Sequence, residues 1–252
     1  MFPVKQTLLI AIGTAVALIA TAAFALPGPT ACALVGLAGL NALGDGVVTD
    51  SKSEADHRRY IQLVRDARER IETTFGMPES KPIVVIFNGS DGFGPFKLNG
   101  YGSAQTVGSR ICVMVGPKGQ NIDVMAHELM HGELHYRVGP VHRFLQVPTW
   151  FDEGIAMQVD YRSRYLLSPQ EAVDSDYVRA LTTASSFLAG DDEALTRNYA
   201  SAKAVVASWL VRVEPATFYS RLLRLKSGKS FAEVVPEREL TSQSSGLPSG
   251  SR

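Results

Sequence analysis

The stretch VMAHELMHGELHY, residues 124–136, sets His127, His131 and His135 at four-residue intervals, with Glu128 directly after the first. His127, Glu128 and His131 form the pattern H-E-x-x-H, whose residue types suit a metal ion and a base. On an α-helix, residues four apart lie about 40° apart around the axis and one turn along it. Two imidazole nitrogens can then meet one ion. Glu128, rotated onward, stands beside that ion without binding it, where its carboxylate can take a proton from water the ion has made acidic. Three specified residues in five also arise by chance, so a further ligand is needed to give the pattern weight.

A catalytic zinc commonly has three protein ligands and one open position. His135 is the nearest candidate, yet a straight helix carries it about 6 Å further along the axis than His131. Three histidines in a row cannot surround one tetrahedral ion, and His135 is the surplus member. The longer pattern H-E-x-x-H-x-x-G-x-x-H is absent, because Leu134 and Arg137 stand where it needs Gly and His. Downstream, PTWFDEGIAMQV (148–159) offers two carboxylates, Asp152 and Glu153. Thr149 followed three residues later by Asp152 reads as a capping box with the shorter acid, which would occupy Asp152. Glu153 is then free to reach across to the first helix, and the short connection suits two roughly antiparallel helices.

The elements that must position these groups follow from periodicity. Residues 50–76 show helical spacing through Tyr60, Leu63, Val64, Ala67, Ile71 and Phe75, stopped by Gly76 and Pro78. KPIVVIF (81–87) and RICVMVG (110–116) read as buried strands, separated by a glycine-rich segment at 88–109 read as a loop. Residues 121–138 form the motif helix, with Asn121 as its cap and Asp123 in its first turn. A proline-bounded connection leads to a helix over 149–160, and helical patterns continue to about residue 240. Strands first and helices second is an α+β order. SGKS (227–230) resembles the end of a phosphate loop, but Leu223 stands where the first glycine belongs, so it is a turn between helices. The last twelve residues are expected to be disordered.

Composition narrows the function classes. The chain has 252 residues with 25 basic and 25 acidic side chains, enough for one domain. Zero formal charge argues against nucleic acid, which requires a concentrated basic face. Cys32 and Cys112 are too few for a disulfide framework, and Cys112 reads as an inert core residue of its strand. The first 26 residues carry one charge, Lys5, followed by about twenty apolar residues and a Pro-Gly-Pro break. This is a secretory signal with AFA (23–25) as its cleavage site, or an uncleaved membrane anchor. Either places the rest of the chain outside the cytoplasm, in a periplasmic or other extracytoplasmic space. Residues 27–49 read as an apolar, glycine-rich linker, with a membrane hairpin over 30–44 as the alternative topology. The domain proper is expected over 50–240.

H-E-x-x-H followed about twenty residues later by Glu within W-x-x-E-G-x-A, here WFDEGIA (150–156), resembles the gluzincin metallopeptidases. The resemblance covers about residues 80–235 and includes the order strand, glycine loop, strand, motif helix. It implies a zincin-like fold: a small mixed sheet whose edge strand, at 109–115, runs above the active-site cleft, followed by a helical subdomain. It implies Zn2+ held by His127, His131 and Glu153, with Glu128 as general base and then proton donor, and a peptide or protein substrate. It also implies a later tyrosine or histidine on the oxyanion. NYASAKAVVASWL (198–210) looks like the family's later helix and gives that role to Tyr199, although a tyrosine opening a helix can equally be a packing residue. Two departures stand out: the Gly-x-Met-Glu-Asn sequence of the aminopeptidase branch is absent, and Met157 replaces the Asp that some members carry four residues after the third ligand. The rival class is a catalytically silent, zinc-containing scaffold of the cell envelope, which would have no need of Glu128.

Overall fold

An uninterrupted run of β-branched residues suits a strand covered on both faces, whereas a helix needs its apolar residues on one stripe. Both kinds of segment are present in the computed structural model, which describes residues 27–89, 100–166 and 174–240. The architecture is α+β, with a five-stranded mixed sheet and a larger set of helices. The described residues fall into two units that change over at Leu63/Val64, Ser80/Lys81 and Asn121/Ile122.

The first unit holds the sheet. Helix α1 (Pro27–Leu34) leads into strands β1 (Asn41–Gly44) and β2 (Val47–Thr49), and helix α2 (Glu54–Phe75) begins here. Strands β3 (Ile83–Ile86), β4 (Gly102–Val107) and β5 (Arg110–Val115) complete the sheet, in the order β1-β2-β3-β5-β4. The pairs β2–β3 and β3–β5 are parallel, while β1–β2 and β4–β5 are antiparallel. Val84, Val85 and Ile86 of β3 and Cys112 to Val115 of β5 are buried, as central strands require. Asp45 and Gly46 turn the β1–β2 hairpin with φ of 50° and 78°, the left-handed backbone an Asp-Gly turn supplies cheaply.

Three expectations are corrected in this unit. The strand at 109–115 is not the edge of the sheet: β5 pairs on both sides, and the edge is β4, inside the segment read as a loop. Half-buried GSAQTV carries almost no apolar signal, because an edge strand needs little cover. Residues 27–49 are not a linker, since they supply α1, β1 and β2. Cys112 is not an inert thiol; it forms a disulfide with Cys32 that ties α1 to β5 across 80 residues of sequence. Ala31, Val35, Val85, Phe87 and Met114 pack around that bond. No helix among the described residues is long and apolar enough to cross a membrane. The expected signal or anchor (1–26) and the C-terminal tail (241–252) lie outside the described residues.

The second unit is helical and holds the rest of α2. It continues through α3 (Ile122–Val138), α4 (Pro140–Gln146), α5 (Thr149–Ala156), α6 (Ser175–Ala180), α7 (Ala184–Phe187), α8 (Asp192–Leu210), α9 (Phe218–Lys226), α10 (Phe231–Val234) and α11 (Glu237–Leu240). Its core is aromatic, with Phe151 set edge-on to Trp209 and Phe231, and Phe75 stacked on Phe218. Helix α3 is buried along most of its length, polar residues included. Each of those polar groups therefore needs an internal partner. Glu133, fully buried, accepts from the Glu79 and Ser80 amides and from Arg137 Nε at 2.6 Å, which anchors the far half of α3. The helix expected over 149–160 ends as α-helix at Ala156 and continues as one 3-10 turn to Val159.

Candidate metal centre

Two helices bring the chemistry together. Helix α3 presents His127, Glu128 and His131, each less than a tenth exposed, and α5 presents Asp152 and Glu153. Helix α5 also packs tightly on α8. A Cβ at Gly154 would come within 2.7 Å of the Ala202 carbonyl oxygen and 2.5 Å of Val206. The glycine after Glu153 is thus a packing requirement, since only a bare Cα lets the backbones approach that closely.

Three ligand-type atoms converge between the helices. Glu153 Oε2 lies 3.3 Å from His127 Nε2 and 3.4 Å from His131 Nε2, and the two ring nitrogens are 3.0 Å apart. Atoms bound to a tetrahedral ion at about 2.0–2.2 Å stand about 3.3–3.6 Å from one another; the two edges to Glu153 fall in that range, and the edge between the rings, at 3.0 Å, is a few tenths shorter. Glu153 Oε2 is buried with no hydrogen-bond partner among the described residues, an orphan that a cation would satisfy. Burial by itself would discharge the His131 ring, but Asp152 and Glu153 outweigh it and hold its pKa well above the ordinary imidazole value. Burial likewise opposes the Glu153 charge, yet the two histidines keep its pKa at about 2. A cluster that grips positive charge this firmly can hold a metal ion.

Each histidine has a carboxylate behind it. His131 Nδ1 donates to Asp152 Oδ1 at 2.7 Å; the carboxylate can only accept, which places a ring proton on Nδ1 and makes Nε2 the nitrogen that faces the triangle. His127 Nδ1 lies 3.8 Å from Asp160 Oδ2, within ion-pair reach but too far for a hydrogen bond. Asp160 is fully buried and held by Arg162 Nε and Nη2. Such partners orient metal-binding rings and raise their basicity. The capping box expected at Thr149 and Asp152 is corrected here. The helix cap is Pro148, with no side-chain cap bond, and Asp152 is taken up by His131 and Arg143.

His131, His135 and Asp152 make a second group of close ligand atoms. Its Asp152 Oδ2, however, already accepts from Arg143 Nη2 at 2.7 Å and Nε at 3.1 Å. A permanently charged guanidinium there repels a second cation, so the first group is the better metal site. His135 stays outside the triangle, its Nε2 3.8 Å from Asp152 Oδ2, as the helix geometry required.

Glu128 sits against the cluster. Burial raises its pKa against the opposing pull of His127 and His131. The Tyr199 ring stands edge-on to His127 at 6.3 Å, between Tyr165 and Phe187. Burial, and after it the charges of Glu153 and Glu128, push the Tyr199 phenol upward, so it remains a protonated donor. Tyr177, another aromatic of this unit, already donates its hydroxyl to Asn198. All five candidate site residues, His127, Glu128, His131, Glu153 and Tyr199, therefore lie in the second unit around one point. Sequence reasoning missed Asp160, Arg143 and Arg162. An Asp seven residues after Glu153 could have been weighed as the substitute for the Asp replaced by Met157; the arginines carry no signal in one dimension. No family model matches the chain, and no curated protein matches it.

Proposed function

We propose that this chain is an exported, membrane-tethered zinc peptidase of the gluzincin type, built on a zincin-like domain. The observation that carries the reading is the triangle of His127 Nε2, His131 Nε2 and Glu153 Oε2, closed on an orphaned carboxylate oxygen with Glu128 buried beside it. A bound zinc would polarise a peptide carbonyl and make the attacking water acidic at neutral pH. Glu128 accepts the proton of that water and passes it to the departing amine. It is suited to both steps because burial raises its pKa toward the working range of a base that must also act as an acid. Tyr199, protonated and edge-on to His127, donates a hydrogen bond to the oxyanion. Asp152 holds the His131 ring through a hydrogen bond, and Asp160 stands within ion-pair reach of the His127 ring.

Two imidazoles and one carboxylate favour zinc over a harder cation such as magnesium or calcium. The Cys32–Cys112 disulfide supports export, since such bonds persist in oxidising compartments. The apolar run at 7–26 supplies the tether. The test is a peptide-library digest by the full chain with and without chelator, read by mass spectrometry, alongside Glu128→Gln. That variant should keep its zinc and lose about 10²–10⁴-fold in activity, the range for a general base. Peptidase activity retained by Glu128→Gln would remove Glu128 from the mechanism, and a parent that binds zinc without cutting any peptide would favour the silent scaffold.

A further inference from the structure

Asp152 has two oxygens with different tasks. Oδ1 accepts from His131 Nδ1 at 2.7 Å, and Oδ2 accepts from Arg143 Nη2 at 2.7 Å and Nε at 3.1 Å. The terminal torsion of an aspartate is broad and two-fold, so a carboxylate held through one oxygen can swing and carry its partner with it. Two donors converging on the other oxygen remove that freedom. The Asp152 side chain is nearly buried while Arg143 is two-fifths exposed, so the guanidinium reaches in from the surface to fix an internal group. Arg143 lies on α4, the short helix between the motif helix and α5.

We propose that Arg143 is a positioning residue for the metal ligand His131, acting through Asp152. It keeps Oδ1 on the ring nitrogen and so keeps Nε2 aimed at the triangle. A lysine could supply the charge, but not two donors in a fixed plane. The readout in zinc rests on the zinc reading above; the readout on the ring does not.

The test uses the full chain in four forms: parent, Arg143→Ala, Asp152→Ala and the double variant, with Arg143→Lys as the conservative exchange. Zinc affinity is measured by chelator competition. Histidine ring nitrogens of the metal-free chain are observed by 15N NMR at one fixed pH. Arg143→Ala should weaken zinc by about 10–100-fold, as loss of an outer partner does. Arg143→Lys should fall between it and the parent. In the Asp152→Ala background, removal of Arg143 should add almost nothing, because its route to the ring is already gone. The His131 Nδ1–H proton, held on Asp152 Oδ1, should give one sharp signal in the metal-free parent and be broadened or lost through exchange with water in Arg143→Ala. Zinc affinity within about twofold of the parent, well short of the loss above, would overturn the proposal. So would an equal loss in the Asp152→Ala background, which would mark a merely structural arginine. If the parent binds no zinc at all, the zinc reading fails alone, and the Nδ1–H result still decides the role of Arg143.

Discussion

Removing either of two adjacent carboxylates should damage the protein in opposite ways. Glu153→Ala deletes one corner of the triangle, the buried Oε2 at 3.3 and 3.4 Å from the two ring nitrogens. Zinc binding worth about 10–16 kcal/mol over four ligands gives about 2.5–4 kcal/mol per ligand, or a loss of about 10²–10³-fold in affinity. Asp152→Ala leaves the triangle but removes the acceptor of His131 Nδ1, and outer partners of this kind are worth about 10–100-fold. Stability without metal should rank the other way. Deleting Asp152 strands a buried ring N–H and the inner end of Arg143, which costs about 1–3 kcal/mol for each unsatisfied group. Deleting Glu153 breaks no hydrogen bond to its buried oxygen and removes only the charge that stands beside the two rings.

Thermal melts with and without zinc separate these effects. At a free zinc level about a thousandfold above the parent Kd, the parent gains about 4 kcal/mol. A variant weakened about 300-fold keeps under about 1 kcal/mol of that gain, and one weakened about 30-fold keeps about 2 kcal/mol. Glu153→Ala should therefore lose most of its zinc response, while Asp152→Ala should melt lower without zinc and still respond. An equal or larger loss of zinc response in Asp152→Ala would refute the assignment of Glu153 as the ligand.

Tyr199→Phe should lower kcat by about 10²–10³-fold, the usual effect of one oxyanion donor, with KM and zinc content nearly unchanged; steady-state kinetics within about threefold of the parent, far short of that loss, would return Tyr199 to a packing role. Asp160→Asn should cost about 1.5–2 kcal/mol at pH 7, in the lower part of the range for bonds to charged groups because Arg162 is partly exposed. The Asp160 pKa is lowered: burial opposes this, and Arg162 and His127 prevail. Its contribution is thus present above the unfolded value of about 3.9 and fades as pH falls through the folded value, so denaturation curves of variant and parent should converge in acid. Replacing Cys32 and Cys112 together by serine should cost about 2–4 kcal/mol, measurable by denaturant titration, as expected for a bond closing a long loop; no change would show that the bond does not constrain the chain.

Local pattern was enough for what depends on neighbours along the chain. The four-residue spacing of His127 and His131 fixes their common helix face whatever surrounds it, and the same geometry excluded His135 before any fold was known. The β-branched runs at 83–86 and 110–115 announce central strands because burial on both faces leaves a one-dimensional trace. The choice of Glu153 over Asp152 was legible only through a capping box that does not form. What separates the two in the fold is tertiary: Asp152 turns toward His131 and Arg143, and Glu153 toward both rings.

What the tertiary structure alone decided is everything that needs two distant segments to meet. Strand β4 is polar enough to pass for a loop and becomes a strand only because β5 offers it an open edge. Cys32 and Cys112 are unremarkable until α1 lies against β5. Asp160 stands behind His127, and Arg143 behind Asp152, because α5 and its flanking turns fold back on α3. An ion pair leaves no periodic mark in a sequence, since its two charges are placed by the path of the chain between them.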